Sequence, residues 1–141
     1  MFILKFVPLV VVMLFDLAFT LLGQPDEYWD DHDLCDEANR IGNTVLSAGP
    51  GYFVLLFILY VFSIVFLVRK LPKIFGVFVA VAVFLAHTWG SASWLLVVSP
   101  YFFPMEIEEW ALYGGYFLAI TMISGICFWL AGKTRPSAVS A

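Results

Sequence analysis

Two ionisable side chains stand inside otherwise apolar stretches of this chain. They are Asp16 and His87, and each is followed four positions on by a hydroxyl residue, Thr20 and Ser91. On a helix that spacing returns to within about 40° of the same direction, so each pair shares a face. A carboxylate in such a stretch costs about 2.5–3.5 kcal/mol on insertion scales, so its face should point at protein or trapped water and not at lipid. If Asp16 and His87 lie at one depth, a contact between them lowers the cost of burying both and makes a pH-sensitive pair. Glu37 and Asn39 belong to the polar segment after the first apolar run and could fold back over the same spot. Such a set could bind a cation or a small polar ligand in a pocket that opens outward, or activate water. It also has a purely structural reading, in which Asp16 and His87 satisfy each other while Glu37 and Asn39 cap and pin a short helix. A serine beside a histidine invites a nucleophile reading as well. However, Gly90-Ser91-Ala92-Ser93 is not Gly-x-Ser-x-Gly, and no oxyanion hole can be read from the residues.

The elements that must carry these side chains follow from composition. The chain is 62% hydrophobic and 13% charged, about half the charged share of a soluble domain. Its apolar residues fall in long runs, which defines an all-α integral membrane protein: a bundle of four transmembrane helices over residues 2–22, 52–68, 74–98 and 110–130. The first run resembles a signal peptide in having Lys5 before apolar residues. Asp16 interrupts it and no small-x-small cleavage site follows, so it reads as a retained span. Pro8 should kink that span.

Residues 23–51 form an acidic loop in which Tyr28 and Trp29 fit an interfacial aromatic belt. Within it, residues 38–47 read as a short interfacial helix capped by Asp36, with Ile41, Val45 and Leu46 toward the membrane. Asp31-x-Asp33-x-x-Asp36 hints at a divalent cation, yet the EF-hand spacing and its glycine are absent, and a solvated loop explains the acids better. The residues name neither a metal nor a cofactor. Cys35 and Cys127 should lie near opposite membrane faces, too far apart for a disulfide.

Lys5, Arg69, Lys70, Lys73, Lys133 and Arg135 fall on one side and only Arg40 on the other. The positive-inside rule therefore puts both termini in the cytoplasm, including a flexible tail at 132–141, with the acidic loop outside. Ala82, Ala86 and Gly90 make the third span the expected packing centre, with Gly114-Gly115 and Ala119 as a matching surface. Only 7 Lys and Arg against 11 Asp and Glu exclude a nucleic-acid partner. The expected partners are the lipid bilayer, a protein met through helix faces or the acidic loop, or a second copy of the chain.

Asp16-x-x-x-Thr20, Gly23-Gln24-Pro25-x-x-Tyr28-Trp29 and Glu37-Ala38-Asn39 resemble small bacterial multi-span membrane proteins of unknown function. These have an Asp-x-x-x-Thr in the first span and a Glu-x-Asn-Pro before the next; Arg40 stands at the proline position here. The resemblance covers the first third of the chain. It implies a bacterial cytoplasmic membrane and that Asp16, Thr20, Glu37 and Asn39 belong together. Three functions remain in play. A non-enzymatic accessory or scaffolding subunit leads, ahead of an ion- or small-ligand-binding protein built on Asp16 and His87, and of an intramembrane hydrolase.

Overall fold

The computed structural model describes residues 6–102 and 108–133. Its helices are α1 (Val7–Leu22), α2 (Arg40–Ser47), α3 (Pro50–Lys70), α4 (Lys73–Ser93), α5 (Leu95–Phe102) and α6 (Glu109–Lys133), with short 3-10 turns at Asp26–Trp29 and His32–Leu34. No strand occurs among the described residues. Residues 1–5, with Lys5, residues 103–107 and the tail from 134 onward lie outside them.

Helices α3, α4 and α6 are long and apolar enough to cross a membrane, the last over Glu109–Leu130. α1 is apolar apart from Asp16 and Thr20 but spans 16 residues in its described part. Pro8 sits in its first turn, where the missing N–H costs no helical bond, so it starts the helix and does not bend it. The third apolar run does not stay one helix. It breaks at Trp94, whose N–H turns back to the Ser91 carbonyl, and α5 continues beyond. That break brings the end of α4 closer to His87 than residue 98 would be.

α1 and the third apolar run form the packing centre together. Leu9, Val12, Met13 and Thr20 are buried on α1, and Thr88, Ser91, Ala92, Leu95 and Val98 on the third run, whereas α3 buries no residue. α1 lies against α4 most extensively, and also against α3, α5 and α6. Gly114 and Gly115 face open space, so they do not supply the matching surface expected of them. The outward faces carry Phe62, Phe66, Phe78, Trp89 and Leu118, all exposed. A water-soluble monomer rarely leaves so much contiguous apolar surface bare.

The segment between α1 and α3 forms a cap on one end of the bundle. The α3–α4 turn with Arg69, Lys70 and Lys73 lies at the other end of α3, about 30 Å away at 1.5 Å per residue. Gln24 is buried and locks the cap down. Its Nε2 donates to the Thr20 carbonyl at 2.8 Å and the Asp36 carbonyl at 3.2 Å, and its Oε1 accepts the Asp36 N–H at 2.9 Å. Tyr28 is fully buried, its hydroxyl donating to the Leu46 carbonyl at 3.2 Å. Burial, and secondarily the charge of nearby Cys35, push its phenol above the ordinary 10.0. The Cys35 thiol reaches the Asn43 carbonyl and the Ser47 hydroxyl.

Asn39, not Asp36, caps α2: its Oδ1 accepts the N–H groups of Ile41 and Gly42. Leu46 is buried inside the cap, and Ile41 is exposed. Asp31 accepts the Asp33 N–H in a local turn. Gly49, at φ 111°, turns the chain into α3, a backbone conformation that favours glycine.

Candidate functional site

A pocket of about 630 Å³ opens between α1, α3 and α4 beneath the cap. Asp16 and Thr20 enter it from α1, Glu37 and Asn39 from the segment before α2, and His87 from α4. All five line the one pocket. Phe53, Phe57 and Tyr60 on α3 form one wall, and Trp94 stands at the break after α4.

The floor is a hydrogen-bonded aspartate–histidine pair. His87 Nδ1 lies 2.6 Å from Asp16 Oδ2, with the two side chains 14% and 17% exposed. When Asp16 is a carboxylate it can only accept, so Nδ1–H is then the donor and the tautomer is set. His87 Nε2 then faces the Tyr60 hydroxyl at 3.3 Å, accepting its proton when the imidazole is neutral. The Phe57 ring meets the imidazole edge-on, at 5.8 Å and 80°. Carboxylate, imidazole and phenol thus form one hydrogen-bonded chain across α1, α4 and α3.

The small residue at 90 makes this possible. A Cβ at Gly90 would stand 2.6 Å from Asp16 Oδ1, so this glycine clears space for the carboxylate and is not merely one of a stripe of helix-packing residues. Gly23 does the same for Trp94, whose ring occupies the place a Cβ would take.

Two of the expected site residues have dual or different roles. Glu37 and Asn39 line the pocket but also build its roof: Glu37 Oε1 accepts the Asn39 N–H at 2.7 Å, and the Glu37 carbonyl accepts from Asn43. Ser91 is fully buried and is not among the pocket residues. Its hydroxyl donates to the His87 carbonyl at 2.6 Å and receives the Tyr116 hydroxyl of α6. A serine in an apolar helix satisfies itself on the carbonyl one turn back, which turns Ser91 away from the imidazole. It pins α6 to α4 and does not form a nucleophile–base pair with His87.

Sequence reasoning missed Tyr60, Phe57, Trp94 and Gln24. Aromatic residues in an apolar run carry no signal separating a pocket wall from a lipid-facing side chain, and Gln24 sits in a Gly-Gln-Pro helix stop. Among the described residues no three His, Cys, Asp or Glu side chains converge to hold a metal. The pocket lining has Asp16 and Glu37 as carboxylates and no Lys or Arg.

No protein-family model, curated protein or solved structure matches this chain.

Proposed function

We propose that this chain is a four-span integral membrane protein that binds a small ligand in a pocket at the outer end of its bundle, floored by Asp16 and His87. The membrane arrangement has both termini cytoplasmic, α1 as the first span, the acidic cap outside and α2 at the interface. Three helices of spanning length support it, together with the basic α3–α4 turn at the end opposite the acidic cap. The small bacterial membrane proteins that the first third of the sequence resembles fit the same placement in a cytoplasmic membrane.

One observation carries the binding reading: the aspartate–histidine pair sits at the floor of an open cavity. A pair serving only helix packing needs no space beside it, and tight closure would lower its exposure further. Here the cavity falls within the ordinary volume of small-molecule sites, about 300–1,000 Å³, and combines a few convergent polar groups with aromatic walls. An accessory-subunit role rests on exposed helix faces that lipid covers equally well. A hydrolase role rested on Ser91, which faces α6.

The test is native mass spectrometry of protein extracted gently from its own membrane, beside the Asp16→Asn variant. A co-purified small-molecule mass, lost in a variant that keeps its helical circular dichroism, is the expected result. The same adduct on both proteins, or only a second protein chain on both, refutes the proposal.

A further inference from the structure

We infer that the pocket takes an organic cation, an ammonium group on an apolar or aromatic body, and that the cation enters in exchange for a proton held by His87. The inference rests on the binding reading above and adds the ligand's class. The argument starts from charge. Asp16 and Glu37 both line the cavity and no Lys or Arg does, so an anion finds no partner there beyond the imidazole. The walls supply the rest. Phe53, Phe57, Tyr60 and Trp94 present aromatic surface around that charge, and ring faces attract ammonium groups while covering an apolar body. A bare divalent ion is disfavoured, because no three acidic or imidazole ligands converge among the described residues.

The exchange follows from the geometry of the floor. When His87 is protonated, its Nδ1–H at 2.6 Å from Asp16 already neutralises that carboxylate. An incoming cation and the imidazolium proton therefore compete for one negative charge. The groups facing His87 are Asp16 from α1, and Tyr60 and Phe57 from α3. Glu37 hangs from the cap across the cavity, and Tyr116 of α6 lies behind, bonded to Ser91. Of these, Asp16 and Glu37 are the carboxylates, and a carboxylate favours a cation. On binding, the proton leaves Nε2, Nδ1–H stays on Asp16, and the released proton passes to water through the open side of the cavity. No bond other than N–H is broken.

The experiment uses full-length protein in lipid nanodiscs and three probes of one shape: 2-phenylethylammonium, 2-phenylethanol and phenylacetate. Calorimetry at about pH 6, where histidines change charge, is run in two buffers of different ionisation enthalpy to count protons. The ammonium is expected to bind about tenfold to a hundredfold more tightly than the alcohol, the usual worth of a charged partner. The carboxylate should bind weakest, and proton release should accompany the ammonium alone. Glu37→Gln should weaken ammonium binding without altering the released proton, and His87→Gln should abolish the release.

If the alcohol or carboxylate binds as well as the ammonium, the cation class falls and the pocket reading stands. If none of the three binds to folded protein, the pocket reading falls too. Proton release that persists in His87→Gln overturns the exchange. Should His87→Gln fail to fold, loss of release in Glu37→Gln in its place overturns it equally.

Discussion

Replacing Gly90 by alanine tests whether the aspartate–histidine pair, and not helix packing, dictates the residue at that position. An alanine Cβ would lie 2.6 Å from Asp16 Oδ1 and 3.0 Å from Oδ2, whereas ordinary contact begins at 3.4 Å. The carboxylate must therefore retreat by about 0.8 Å. A retreat of that size stretches a 2.6 Å pair past the ~2.7–2.9 Å range of charge-assisted bonds. The loss is about 1.5–3 kcal/mol for a hydrogen bond to a charged group. Alanine in a helix interior returns about 1 kcal/mol relative to glycine. The net expectation is destabilisation by about 0.5–2 kcal/mol. Gly114→Ala serves as the control, since nothing lies within 4 Å of a Cβ there. It should be neutral or gain up to about 1 kcal/mol. Equilibrium unfolding in mixed detergent gives both values, and the Asp16→Ala background completes a double-mutant cycle. If Gly90→Ala is as stable as Gly114→Ala, or costs the same with Asp16 removed, the carboxylate is not what holds position 90 to glycine.

Two further outcomes follow from the cap and the far side of α4. Tyr28→Phe should cost about 1 kcal/mol through the lost bond to Leu46. The wild type carries a matching alkaline signature: its unfolded chain releases the phenolic proton at the ordinary 10.0, and the folded chain releases it only at higher pH. The Tyr28 contribution is thus intact below pH 10 and drains away as pH rises through the folded value. Thermal melts between about pH 9 and 11 should show a decline that Tyr28→Phe lacks. Ser91→Ala should cost about 1–3 kcal/mol by leaving the Tyr116 hydroxyl unpaired, while the affinity for 2-phenylethylammonium stays unchanged. A fall in affinity without loss of stability would return Ser91 to the pocket.

Much of the architecture was legible because apolar run length and interrupting glycine and proline residues are local signals. The runs around α3, α4 and α6 became helices of spanning length. Asp16 and His87 could be paired from sequence because each is costly in apolar surroundings without a partner, and each is the only ionisable group in the interior of its run. What stayed hidden depends on side-chain direction and tertiary partners. His87 and Ser91 share a face only to within about 40°, and that angle separates a pocket on α1 and α3 from a contact on α6. Tyr60 looks like any aromatic of a membrane helix until His87 is placed beside it. The third apolar run gave no punctuation at Trp94, since no glycine or proline stands at the break. Gln24 reads as part of a helix stop, and its role as a double amide clamp on Asp36 appears only when the chain returns.

The separation of Asp16 from its partner has a consequence for how the protein is made. The two residues are 71 positions apart, so at about 5–20 residues per second the ribosome needs roughly 4–14 s to reach the histidine after the aspartate. During that interval the first apolar segment carries a carboxylate with no imidazole to receive it. If α1 is the first of four spans, as proposed, that carboxylate stays unpaired on its way into the bilayer until α4 emerges and the contact with His87 closes. A chain truncated before α4 would then hold α1 less securely than the whole chain does.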